Sequence, residues 1–319
     1  MVWSFVHKKP RWDPTGSHCY VTGGSAGLGL SVAILLARLG ADVSIVARNE
    51  ANLASALEAL EAVRMSPNQI LRSYSFALNT LEGARAAYDA ACAAHGGKPA
   101  DAVFLCAGAS KPGFWVEADE DDIKQGMDMT YWVSAWTARV AAERMARARQ
   151  PGKIVFVGSV LSYAGIIGYS TYCPGKHALR GLAETLRQEL MLYGISVHMF
   201  FPASIRSPGF ENETKTKPKI TLKIEESDPI ASPDECARGL WEGLQRGDFH
   251  ITSTFNGEIF RTSTRGATPW NAFGRDLFYG LIGFIGLPLW RQDVDKMVRK
   301  HKTEHEEYLS SRGFFASLS

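Results

Sequence analysis

"HCYVTGGSAGLG" (residues 18–29) holds the order of elements that decides the fold. "HCYVT" reads as a short strand, the glycines as a tight turn, and a helix opens at about Leu28. Glycines in such a turn let the backbone approach a pyrophosphate, while the helix N-terminus offers free N–H donors and the positive end of its dipole. Alone, the glycines would mark only a turn. Behind the first strand of a parallel sheet they mark a dinucleotide cradle.

The surrounding chain supplies that sheet. Between His18 and about Phe201, short β-branched runs alternate with Ala/Leu-rich amphipathic segments, the pattern of βαβ units. Further strands are expected at 42–47, 70–76, 101–106, 153–158 and 196–201, with a seventh at 249–252. The expected fold is α/β: a Rossmann-type doubly wound parallel sheet of about seven strands with helices on both faces, plus a C-terminal helical apolar extension. The longest helix is expected from about Ile123 to Arg149, with Arg139, Arg144 and Arg147 on a solvated face. Residues 202–227, "PASIRSPGFENETKTKPKITLKIEES", lack apolar periodicity and read as a mobile loop, with a helix after it at about Pro233 to Gly247. The organisation is then a tail over 1–16, a nucleotide-binding catalytic domain over 17–252 with a substrate lid at 206–227, and an extension over 253–319.

Composition excludes several classes. A net charge of +2 offers no basic excess for nucleic acid. Five scattered cysteines without a C-x-x-C pair suit free thiols in a reducing compartment. Near the start, Val2 to Val6 is too short for a signal-peptide core, so the sequon at Asn212 is read as a chance match in a charged loop.

About 20 residues past the glycines, an acidic side chain would take the ribose 2′-hydroxyl of NAD, whereas a cation there suits the 2′-phosphate of NADP. The second strand ends in Ala47-Arg48. Ala47 can bind neither group, and Arg48 presents a planar fork for phosphate. NADPH is therefore the expected cofactor, with Ser25 as a second donor to the phosphate; the plainer reading of Arg48 is a strand-end residue.

"SVLSYAGIIGYSTYCPGK" (159–176) carries the chemistry. Tyr172 and Lys176 are four apart and so share one helix face, and Pro174 is tolerated if it falls in the first turn. Ser159 stands at a strand's carboxyl end, where α/β folds bind ligands. Reduction of a carbonyl needs a proton donor at the oxygen and a second donor to polarise it. Tyr172 is the expected acid, Lys176 is expected to lower its pKa and hold the nicotinamide ribose, and Ser159 is expected to hydrogen-bond the carbonyl.

The spacing Gly23-x-x-x-Gly27-x-Gly29, together with Ser159, Tyr172 and Lys176, resembles the short-chain dehydrogenase/reductase family from about Ser17 to Thr252. That resemblance implies cofactor contacts from Gly23, Ser25, Gly27, Leu28, Gly29, Ala107, Gly108, Tyr172 and Lys176, and pairing into a homodimer or homotetramer through the helices bearing the tyrosine. Three positions depart from the family pattern. "LCAG" (105–108) replaces Asn-Asn-Ala-Gly, Ala77 stands where an adenine-binding Asp is usual, and Thr130 stands where an Asn serves a proton relay.

Within the family, "YVTGGSAGLG", "KIVFVGSV", "CPGKHALRGLAETLRQEL" and "FPASIRSPGF" look most like the 3-ketodihydrosphingosine reductases. This implies reduction of a long-chain sphingoid ketone at the cytosolic face of the endoplasmic reticulum membrane, with Pro202, Ile205 and Ser207 facing the nicotinamide. The alternatives are a reductase of another hydrophobic ketone, steroid or fatty acyl, and a non-catalytic NADPH-binding regulator.

"LFYGLIGFIGLPLW" (277–290) fits this reading. It runs fourteen residues without a charge, short of the roughly 20 that span a bilayer, and basic residues from Arg291 to Lys302 follow it. Contact with the endoplasmic reticulum surface is one reading of it. A dimer contact, or a helix closing the substrate pocket, is the other. "HKTEH" (301–305) matches a zinc-peptidase pattern but has no third ligand and lies in a charged tail, so no metal is expected. Cys173 has no base placed to activate it.

Overall fold

The computed structural model describes residues 11–317, so the part of the expected tail that precedes residue 11, including Val2 to Val6, lies outside the described residues. From the N-terminus the elements are β1 (His18–Thr22), α1 (Gly27–Arg38), β2 (Asp42–Ala47), α2 (Glu50–Glu61), β3 (Leu71–Ser75), α3 (Leu81–Ala93) and β4 (Ala102–Leu105). Then follow α4 (Glu120–Met127), α5 (Val133–Arg147), β5 (Gly152–Val157), α6 (Cys173–Glu189) and β6 (Ile195–Phe200). The C-terminal part holds α7 (Pro208–Thr216), α8 (Lys219–Glu225), α9 (Pro233–Arg246), β7 (His250–Ile251), α10 (Phe255–Ser263), α11 (Phe273–Lys300) and α12 (Lys302–Ser311).

All seven strands are parallel, in the order β3-β2-β1-β4-β5-β6-β7. Because both faces of a parallel sheet are covered, its strands read as apolar runs, and alternate residues serve opposite cores. Tyr20 and Leu105 enter the core with Tyr88 and Met145 of α3 and α5, whereas Val21 and Phe104 enter the one with Leu36 and Leu240 of α1 and α9. The strand order reverses between β1 and β4. A crevice opens outside their carboxyl ends at such a point, and it is there that open α/β sheets bind ligands.

Two expectations are corrected. The long helix is present from Glu120 to Arg147 but is not regular: it widens into a π turn over Asp128–Trp132 between α4 and α5. Arg149 ends it with a positive φ of 51°. Residues 202–227 are not a bare mobile loop either, because they hold α7 and α8, and the sequon therefore lies on a helix. α7 has Ser207 as its cap and Pro208 in its first turn. Ile220 and Ile224 of α8 bury against Val294, Trp290 and Met297 of α11, an apolar periodicity too short to stand out among the lysines.

α11 is a single 28-residue helix that includes the whole apolar stretch, with Pro288 inside it. Its N-terminal part packs on α10 at Gly283, where an added Cβ would meet Ser263 Oγ at 1.9 Å. Arg261 of α10, with its side chain 1% exposed, donates to Asp276 at 3.0 and 2.6 Å and also binds Glu258. Among the described residues no helix is long and apolar enough to cross a membrane.

Candidate active site

One cavity of about 1160 Å³ opens at the reversal point and runs from the β1 turn to α11. It exceeds the roughly 300–1,000 Å³ usual for a single small molecule, which leaves room for a dinucleotide and a second ligand together. Gly23, Ser25, Gly27, Leu28, Gly29, Arg48, Ala107, Gly108, Ser159, Tyr172, Lys176, Pro202, Ile205 and Ser207 all line it.

The dinucleotide end is shaped by backbone. Gly23 turns the chain at φ +66°, and a Cβ on Gly29 would meet the Gly23 carbonyl oxygen at 2.3 Å. Ala26 leads into α1 without a side-chain cap, so the first N–H groups of the helix stay free for a phosphate. Thr22 Oγ1 accepts from the Ala107 amide at 3.1 Å and thereby ties the β1 and β4 ends together. These features fit a pyrophosphate laid across the helix terminus. Arg48 is exposed on the rim and forms no ion pair among the described residues. Leu78 and Asn79 also line the cavity just past Ala77, and no motif in the sequence marks them.

At the centre, Tyr172 is the residue that leads into α6 rather than part of its body, and Pro174 falls in the first turn. Its hydroxyl is hydrogen-bonded to Ser159, whose Oγ also accepts from the Leu161 amide at 3.1 Å. Lys176 is buried, and its Nζ donates to the Val157 carbonyl at 2.9 Å and lies 5.7 Å from the Tyr172 ring centroid. Burial lowers the Lys176 pKa to about 8. The expectation that this ammonium lowers the Tyr172 pKa is corrected: burial raises the phenol well above its usual value, the Ser159 hydrogen bond opposes this, and the charge of Glu213 adds to it. Burial likewise raises the Cys173 thiol, which keeps it protonated.

Thr130, in the place of the relay Asn, is buried in the π turn and donates to the Gly126 carbonyl. It fills the space over Gly175, where a Cβ would lie 1.8 Å from its Oγ1. α6 and the π turn therefore pack too closely at this point for a larger side chain than threonine on that rotamer.

The far end of the cavity comes from the expected lid, from the apolar stretch and from α10. Tyr169, Phe210, Glu213 and Glu225 line it on one side, and Asn256, Phe260, Ile282, Leu287 and Trp290 on the other. Tyr169 belongs to the 159–176 stretch, Phe210, Glu213 and Glu225 to the expected substrate lid and the last three to the apolar stretch, so only Asn256 and Phe260 of α10 fall where no signal pointed.

A profile of the short chain dehydrogenase family matches residues 17–218. The chain belongs to the short-chain dehydrogenase/reductase family. As a member it is an oxidoreductase that binds NAD or NADP. It is 41% identical to a 3-ketodihydrosphingosine reductase of Cryptococcus neoformans over 99% of this chain and 93% of that protein. Among solved structures, a short-chain dehydrogenase/reductase of Burkholderia phymatum in complex with NAD superposes with a TM-score of 0.67 at 21% identity, over 76% of this chain and 90% of that one. A short-chain dehydrogenase of Sphingobium yanoikuyae in complex with NADPH gives 0.63 at 21%, over 74% and 87%. At that identity both establish the shared fold. Their different cofactors leave the choice of dinucleotide to the residues of this chain.

Proposed function

We propose that this protein is an NADPH-dependent 3-ketodihydrosphingosine reductase, which converts the 3-keto group of the long-chain base to the hydroxyl of dihydrosphingosine at the cytosolic face of the endoplasmic reticulum. The observation that carries the reading is the near full-length 41% identity to a reductase of that name, in a chain whose Ser159, Tyr172 and Lys176 meet in one cavity. Arg48 supports NADPH over NAD, since its fork suits a 2′-phosphate and no acidic residue stands at Ala47 to take a 2′-hydroxyl.

NADPH supplies the hydride that reaches the carbonyl carbon. Ser159 holds the carbonyl oxygen, and Tyr172 gives its proton to that oxygen as negative charge builds there. The raised pKa of the phenol does not forbid this, because a developing alkoxide is a far stronger base than a phenolate. Lys176 is cationic below about pH 8 and would hold the nicotinamide ribose beside the phenol.

The two faces of α11 support a lipid substrate. Ile282, Gly286, Leu287 and Trp290 face the cavity at helical spacing, whereas Leu277, Phe278, Leu281, Phe284, Ile285 and Leu289 are exposed. Arg291, Lys296, Arg299 and Lys300 continue the helix. An apolar stripe followed by cations suits an anionic bilayer surface, so the helix would lie on the membrane while it walls the pocket.

Tyr172→Phe provides the test. NADPH oxidation with 3-ketodihydrosphingosine in detergent should fall about 10²- to 10⁴-fold, the usual share of a general acid, while NADPH binding stays near wild type. Unchanged turnover would overturn the reading.

A further inference from the structure

The wall formed by α7 and α8 carries an unbalanced charge. Lys217, with its side chain 1% exposed, lies 3.2 Å from Glu213 Oε1 and 2.7 Å from Glu225 Oε2. Tyr169 donates to the same Glu213 Oε1 at 2.6 Å. Two carboxylates thus face one ammonium, and a surplus negative charge in a partly buried wall is costly unless a ligand answers it. No hydrogen bond to Oε2 of Glu213 is found among the described residues, and Glu213 lines the cavity. The group is close to the reacting centre: the Tyr169 and Tyr172 rings are 5.8 Å apart, and the phenol of Tyr172 feels the Glu213 charge.

We propose that Glu213 receives the ammonium of the substrate, so that the site selects a ketone bearing a cationic amine on the adjacent carbon. The inference rests on the reductase reading above and specifies what that site recognises. In 3-ketodihydrosphingosine the amine is on the carbon next to the carbonyl. A carbonyl oxygen held at Ser159 and Tyr172 therefore leaves the ammonium only a few bonds from the phenol, on the wall where Glu213 stands. Tyr169 and Lys217 fix one carboxylate oxygen and leave the other to the ligand. A bound ammonium would also cancel the field that Glu213 exerts on Tyr172, which makes the phenol a better acid when the matching substrate is present.

The test compares three ketones of equal chain length with the full-length protein in detergent: 3-ketodihydrosphingosine, its N-acetyl derivative, and the simple ketone without nitrogen. Wild type should prefer the free amine by about tenfold or more in kcat/KM. Glu213→Gln should raise KM for the amino ketone by about tenfold and so abolish most of its preference over the other two, while Glu213→Asp keeps part of the preference. If Glu213→Gln slows all three ketones alike, or leaves the amino ketone unchanged, the assignment is overturned and the residue is only a latch between α7 and α8. Equal use of the three ketones by wild type would also overturn it, without a folding question, and would leave the reductase standing. No reduction of any ketone by wild type would instead remove the reductase reading on which the inference stands.

Discussion

The two ends of the cavity are built by different means. Around Gly23 and Gly29 the main chain itself makes the surface, with amide donors at the head of α1 and side chains kept small so that β1, α1 and the β4 end can meet. Around α7, α8, α10 and α11 the surface is made of large side chains held by buried charge pairs: Glu213 with Lys217, and Arg261 with Asp276. A backbone surface serves a ligand part that never varies, the pyrophosphate. A side-chain surface can be recut for each substrate without disturbing the sheet.

Gly29→Val is the hardest blow to the first end. The nearest atoms to its Cβ are the Gly23 carbonyl oxygen and carbon at 2.3 and 2.7 Å, main-chain atoms that cannot swing aside. Overpacking against backbone should cost about 3 kcal/mol or more. NADPH binding, followed by fluorescence, should be lost with it for every ketone tried. Retained binding would mean that the cradle is not formed by this close approach.

Asp276→Ala strikes the second end. It leaves the buried Arg261 with Glu258 alone, so the cost should be about 2–3 kcal/mol, below that of a pair left with no partner at all. Chemical denaturation measures the stability. The sharper readout is the split between ligands: NADPH affinity should hold while KM for the lipid ketone rises, because α11 walls only the far end. Loss of both together would break the separation between the two ends.

That separation also explains what was legible in the sequence. The strands were readable because each is an apolar run between turn residues, and β1 and β2 fall where the pattern places them. The glycine loop and the Ser159, Tyr172 and Lys176 set were readable because their spacing is imposed by one turn and one helix. The π turn at Thr130 was not, since a single added residue in a helix leaves no periodic trace over so short a run. α7 and α8 were hidden by their lysines, and Lys217, which reads as solvated, is among the most buried side chains there. Tertiary pairing produced that burial, and nothing in the local pattern announces it. The raised pKa of Tyr172 belongs to the same class, because it depends on how deeply the folded chain buries the phenol and on the charge of Glu213, far downstream in sequence.

The smallest effect is expected on the outer stripe of α11, where the comparison can be refined. Phe284 and Ile285 are 80% and 65% exposed, and on a helix they lie away from Ile282, Gly286 and Trp290, which line the cavity. Replacing both by serine removes few contacts within the chain, so stability should change by about 0.5 kcal/mol or less. Turnover in detergent should stay near wild type, because the cavity wall is untouched. Binding to vesicles of anionic phospholipid should fall, as each exposed large side chain that enters the bilayer boundary contributes about 1.5–3 kcal/mol of apolar transfer. Co-sedimentation with vesicles and turnover of vesicle-borne ketone are the two readouts. A variant that loses both, yet works in detergent, would divide α11 into an inner face that serves the substrate and an outer face that serves the membrane. Vesicle binding unchanged by the double substitution would assign the stripe to contact with another protein surface.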